Sequence, residues 1–235
     1  MRGLCRCLLT VLGVALCAAP VAGAHDQLTA GGGVIAPARG GGLSGGELMG
    51  EAQARQLEVP ADELGSGRCF TVARNVLAPD PGMDGTATCT GPRRTRLLLS
   101  FGFFCTDVTD NVVTAQQQLA CAVAGAQSTI QEMNITVDAG PTVNIRTPRF
   151  AASSPQCRVQ LAPGNFLGVP PGPATFTTSG WAAVIRHLRP GPHTATLQIV
   201  LAPGNGEPFT STIFLNIARG GHSNHQDLGG RDCVD

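Results

Sequence analysis

The sequence predicts a mainly β protein: an antiparallel β-sandwich, Greek-key or jelly-roll-like, with one or two short helices and disulfide staples. Three observations carry that expectation. From Arg68 onward, short apolar runs alternate with Gly, Pro, Asn and Asp turns, the signature of a sandwich or barrel. Strand parity is clean towards the C-terminus. Ala195, Leu197, Ile199 and Leu201 share one face, and Thr194, Thr196 and Gln198 share the other. Finally, six cysteines remain once an N-terminal targeting segment is set aside, an even number that reads as disulfides in an exported chain.

The targeting segment spans residues 1–24. Arg2 and Arg6 are its basic region, Leu8 to Ala19 its apolar run, and Ala22-Gly23-Ala24 its A-x-A cleavage site. The apolar run falls short of the about 20 residues that a membrane span needs; the alternative is a retained anchor. Residues 25–43, with AGGGVIAPARGGGL, read as a flexible Gly-rich leader. Residues 44–218 then form a single sandwich domain with an N-terminal helix, and 219–235 a polar tail.

Ser44 and Glu47 have capping-box spacing, so a helix is expected from Glu47 to about Leu57, ending before Pro60. Candidate strands follow at Cys69–Leu77, Thr86–Thr90, Thr95–Phe104, Ile130–Val137, Thr142–Ile145, Cys157–Leu161, Ala174–Thr177, Trp181–Leu188, Thr194–Leu201 and Thr210–Ile217. Thr114 to Ala124 breaks the β texture with good helix formers, and Leu119, Ala122 and Val123 are its expected buried face. Asp138-Ala139-Gly140-Pro141 turns one hairpin. Pro190-Gly191, suited to a type II turn, is expected to fold Gly180 to Leu201 into a central hairpin.

The cysteines outside the signal are Cys69, Cys89, Cys105, Cys121, Cys157 and Cys233. Six cysteines allow 15 pairings. The expected set is Cys69–Cys89, Cys105–Cys121 and Cys157–Cys233. The first two close local loops worth about 3 kcal/mol each by chain entropy, and the third ties down the tail. Cysteine ligation of a metal is disfavoured because no C-x-x-C pair occurs.

Composition excludes several function classes. The full chain balances 16 basic against 16 acidic residues. The basic cluster Arg93, Arg94 and Arg96 is too small to be a nucleic-acid footprint. Every basic residue is Arg, so chemistry that needs a lysine is ruled out.

One resemblance stands out. ATCT (Ala87–Thr90), Phe101–Cys105, LACA (Leu119–Ala122), ITVDAG (Ile135–Gly140), APGNFLGVPPGPAT (Ala162–Thr175) and the LRPGPHT turn (Leu188–Thr194) occur in an order that resembles a family of uncharacterised secreted bacterial β-sandwich proteins. LSGGELMGE (Leu43–Glu51) is similar to the N-terminal helix of that family. Aromatic residues are expected after it, where this chain has Ala52-Gln53. The resemblance implies a secreted single domain and brings no activity with it.

Site candidates are few. His25 would become the mature N-terminus, an arrangement that looks like the copper site of lytic polysaccharide monooxygenases. A flexible glycine-rich leader gives it no rigid first shell. His222 and His225 lie in the polar tail. Asp107 and Asp110 look like caps before a helix, and Glu132 and Asp138 like solvated strand positions. The long loop Ala162–Thr175 leads towards Trp181, so Asn165, Phe166, Trp181 and His193 are the candidate contact residues, with His193 at the rim of the core. The reading is therefore a secreted, non-catalytic interaction or structural protein. The alternative is a secreted enzyme, either a copper oxidase using His25 or a carboxylate hydrolase. No cofactor is called for. The expected partner is a protein or cell-envelope component rather than nucleic acid, and a monomer with no membrane span in the mature chain is expected.

Overall fold

The computed structural model describes residues 28–30, 32–219 and 233. Strands β1 (Leu28–Ala30) and β2 (Gly33–Pro37) come first, then a small hairpin of β3 (Arg39–Gly40) and β4 (Leu43–Ser44). Helix α1 (Gly45–Leu57) leads to β5 (Arg68–Ala73), β6 (Val76–Asp80), β7 (Thr86–Gly91) and β8 (Arg96–Thr106). Helix α2 (Ala115–Thr129) runs directly into β9 (Ile130–Val137), followed by β10 (Val143–Asn144), β11 (Ala151–Ser153) and β12 (Cys157–Leu161). The long strands β13 (Gly172–Arg186), β14 (Gly191–Leu201) and β15 (Phe209–Ile217) complete the fold.

Two sheets face each other as a sandwich. The larger has the order β1-β2-β13-β8-β6-β5, with β11 and β12 also paired to β13; the smaller has the order β10-β9-β14-β15-β7. The central core lies between them. Ile35, Leu97, Leu99, Ala183 and Ile185 from the first sheet meet Ile135, Leu197, Ile199, Ile213 and Leu215 from the second. Most pairings are antiparallel, but β6–β8 and β7–β15 are parallel.

A second apolar layer covers the outer face of the larger sheet. Leu48 and Met49 of α1 pack there with Val34, Val76, Leu98 and Val184. The capping box is complete: the Ser44 N–H donates to Glu47 Oε2 at 2.7 Å, and the Glu47 N–H donates to Ser44 Oγ at 3.3 Å. Gly50 is required where α1 crosses the Cys157–Cys233 bridge, because a Cβ there would lie 2.7 Å from Cys157 Sγ and 2.8 Å from Cys233 Sγ. Among the described residues, disulfides join Cys69 to Cys89, Cys105 to Cys121 and Cys157 to Cys233.

Several expectations are corrected. Gly180 to Leu201 is not a hairpin: β13 pairs with β2, β8, β11 and β12, whereas β14 pairs with β9 and β15. The chain crosses from one sheet to the other over residues 187–190, with His187 at φ +61°. Turns of type II splay their flanking strands, whereas the primed types hold a tight hairpin, so the Pro-Gly chemistry fits a crossing better. From Trp181 to Ile185, β13 is apolar on both faces: Ala182 and Val184 pack with Leu48 and Met49 of α1, and Trp181, Ala183 and Ile185 lie in the core between the sheets. The stretch read as a flexible leader holds β2, paired to β13 and buried on both faces. Flanking glycines masked its short Val34-Ile35-Ala36 run. On helix α2 the expected burial of Ala122 holds, but that of Leu119 does not. Gln118, Ala122 and Ala126 are buried while Leu119 is exposed. Gln118 pays for its burial with bonds from Nε2 to the carbonyls of Val112 and Thr175 at 3.0 and 3.2 Å.

Candidate functional site

The parallel ladder between β6 and β8 holds only the pairs Val76↔Arg96 and Leu77↔Leu97. Arg96 N–H donates to the Asn75 carbonyl at 2.7 Å. Alternation of backbone direction then fixes which polar groups of each strand face the other. On β6 these belong to residues 75, 77 and 79; on β8, to the even-numbered residues from Arg96 onward. The next rung would carry the N–H of residue 79 to the Leu98 carbonyl. Residue 79 is Pro and has no N–H. The ladder stops there, and no described strand pairs β8 on this side beyond Leu97.

The far end of the β5–β6 hairpin is held by the opposite sheet. Cys69 of β5 is bonded to Cys89 of β7, and the Thr88 N–H donates to the Gly67 carbonyl at 2.8 Å. The hairpin therefore leaves β8 and leans onto the edge of the smaller sheet. A slot of about 380 Å³ opens between β6 and β8, at the small end of the range for ligand sites. Ala78, Pro79 and Pro81 form one wall, and Leu98 to Gly102 the other. Its floor is the inter-sheet core at Leu197, Ile199 and Ile213; Ala52, Gln53 and Gln56 of α1 overhang it. Phe101 and Phe209 meet edge to face at its mouth, 5.3 Å between ring centroids. No charged side chain lines it.

Gly102 and Gly180 are directly opposed on β8 and β13. A Cβ at either would run into the partner's backbone, and one at Gly102 would also lie 3.0 Å from Met49 Cε. The glycine pair lets α1 lie close over the sheet beside the slot.

The residues singled out from sequence do not converge. Phe166 lines the slot and meets Phe104 edge to face at 5.9 Å. Asn165 is buried and ties its own loop, its Nδ2 donating to the Ala162 and Val169 carbonyls at 2.8 and 2.9 Å. Trp181 is in the central core, with the Arg146 guanidinium 5.0 Å over its ring. His193 is at the edge of β14, its Nδ1 2.6 Å from Asp138 Oδ2 and its Nε2 2.7 Å from the Arg189 carbonyl. His25, His222 and His225 lie outside the described residues.

The carboxylates singled out from sequence are engaged in hydrogen bonds within the chain. Asp107 Oδ1 accepts from the Thr175 N–H at 2.9 Å, and Asp110 Oδ2 from the Thr106 N–H at 2.8 Å. Cys105, Asp110 and Cys121 gather closely, but both sulfurs are spent in a disulfide. The single strand expected at Cys69–Leu77 is instead the hairpin of β5 and β6, and that expectation stops short of Ala78 and Pro79, so the slot was not foreseen. The available signal was Pro79, which stops a ladder wherever its nitrogen faces the neighbouring strand.

Against known proteins, no protein-family model matches this chain, and no curated protein sequence matches it. Among solved structures, the solution structure of amebosin is similar at 12% identity over 60% of this chain and 95% of that one. The TM-score is 0.19, and the likeness carries no argument.

Proposed function

We propose that this chain is an exported, non-catalytic interaction protein that holds an apolar ligand in the slot between β6 and β8. The observation that carries the reading is the slot itself, an uncharged opening from the surface into the inter-sheet core. Exposed apolar openings of this kind mark binding surfaces. Three disulfides support an oxidising compartment, as does the N-terminal targeting pattern. Among the described residues no helix is long and apolar enough to cross a membrane. Asp107, Asp110, Asp138 and His193 are each engaged in hydrogen bonds to the chain's own backbone, which favours binding over catalysis. The expected partner is a protein or cell-envelope component, and resemblance to a secreted bacterial family belongs to the same reading.

Titration with Nile red, an uncharged apolar dye, tests it. One saturable site that is lost when Gln53→Trp fills the overhang is the expected result. Absence of saturable binding, or binding unchanged by Gln53→Trp, would overturn it.

A further inference from the structure

We infer that the slot takes an extended polypeptide segment of a partner protein, added as a strand along β8 from Leu98 to Phe104. The inference rests on the reading of the slot as a binding site and names the class of ligand it takes.

The open edge has defined limits. At one end the ladder to β6 stops at Leu77↔Leu97. At the other, the Thr106 N–H, which faces the same side as Leu98, Ser100, Gly102 and Phe104, is capped by Asp110 Oδ2 at 2.8 Å. Between these limits the Leu98 carbonyl and both backbone groups of Ser100 and Gly102 face the slot. On its other edge β8 is paired with β13 without a break from Leu97 to Thr106. Ser100, Phe101 and Gly102 are half-buried, whereas Leu97, Leu98 and Leu99 just before them are fully buried. The open stretch is about 20 Å long at roughly 3.3 Å per residue, enough for a six- or seven-residue segment.

The backbone edge also selects the occupant. A hydrocarbon or lipid chain filling the slot would cover a row of donors and acceptors without pairing them, which is costly. An extended polypeptide presents N–H and C=O groups at the same repeat and pairs with them, which is the strand-addition mode of recognition. Pro79 and Pro81 on the opposite wall offer no N–H, so pairing is one-sided, to β8 alone. The lining carries no charge, so the inward side chains of the segment are apolar. One set faces Leu197, Ile199 and Phe209, and the other faces Ala52 and Gln53.

The test uses acetylated octapeptides that alternate Thr with Val, Leu, Ile or Phe. Two N-methylated versions of the best binder accompany them, each methylated on one of the two alternate sets of amides. Strand addition predicts saturable binding of the parent. Methylation of one set lowers affinity at least roughly tenfold, since several N–H bonds are lost; methylation of the other set has little effect. Equal binding of all three peptides overturns strand addition and leaves the apolar slot standing. So does Nile red binding with no peptide binding. Failure of both dye and peptides overturns both readings. A concentration-dependent dimer of this chain that protects the Ser100 and Gly102 amides assigns the edge to a second copy, and overturns the inference.

Discussion

Asp138 and His193 lock the β9–β10 turn to the start of β14. Asp138 Oδ2 lies 2.6 Å from His193 Nδ1, and Asp138 Oδ1 accepts the Thr194 N–H at 2.8 Å. The other ring nitrogen of His193 faces the Arg189 carbonyl at 2.7 Å, so the imidazole also fastens the chain that crosses between the sheets. With an acceptor at each nitrogen, the doubly protonated ring donates both bonds. Burial pulls its pKa down. The hydrogen bond to Asp138, the bond to the Arg189 carbonyl and the Asp138 charge outweigh burial and hold the pKa above its ordinary value.

Stability should therefore depend on pH through this pair. A histidine whose pKa is raised in the folded state binds its proton more tightly there than in the unfolded chain. Its contribution is fully present below the unfolded value of about 6.5 and is lost as pH rises through the folded value. The thermal midpoint of the wild type should fall across that window, and His193→Gln should flatten the fall. An unchanged slope in the variant would remove His193 from the account.

Gly50→Ala should destabilise, against the ordinary preference for Ala over Gly inside a helix. The added methyl would press on both sulfurs of Cys157–Cys233, and overpacking of this kind costs about 1–3 kcal/mol. A lower midpoint in urea checks it. A gain in stability would show that α1 moves off the bridge at no cost.

Replacing both Cys69 and Cys89 by Ala should cost about 3 kcal/mol by chain entropy. It also frees the end of the β5–β6 hairpin from the smaller sheet, so Nile red binding should weaken along with stability. Unfolding in urea reads the first effect and dye titration the second. Full dye affinity in a destabilised variant would show that the bridge does not shape the slot.

Ser100→Pro and Phe101→Pro should differ sharply. The Ser100 N–H faces the slot and makes no ladder bond, whereas the Phe101 N–H faces Trp181 on β13. Proline is tolerated where the N–H is unpaired and breaks the ladder where it is paired. The first change is expected to cost within about 1 kcal/mol and the second about 3 kcal/mol or more, read by chemical denaturation. Equal costs would contradict the backbone parity assigned to β8.

Much of this fold was legible in the sequence because its signals are local. Parity placed Ala195, Leu197 and Ile199 on one inward face, where they are buried. Ser44 and Glu47 marked the start of α1, and the cysteines paired as expected. Partner choice between strands was not legible. Trp181–Leu188 and Thr194–Leu201 look like a hairpin from their spacing, yet they belong to different sheets, because that choice depends on everything packed around them. The slot was hidden for the same reason. Pro79 is ordinary turn chemistry until β8 is known to lie beside it, and Phe101 is an ordinary core residue until its strand is known to be open on one edge.

Amide hydrogen exchange along β8 tests the central claim most directly. In the free protein Ser100 and Gly102 should exchange fast while Leu99, Phe101 and Phe103, which face β13, exchange slowly. A bound octapeptide should slow Ser100 and Gly102 selectively. Uniform slow exchange from Leu97 to Cys105 in the free protein would mean that the edge is already closed, and would contradict the account.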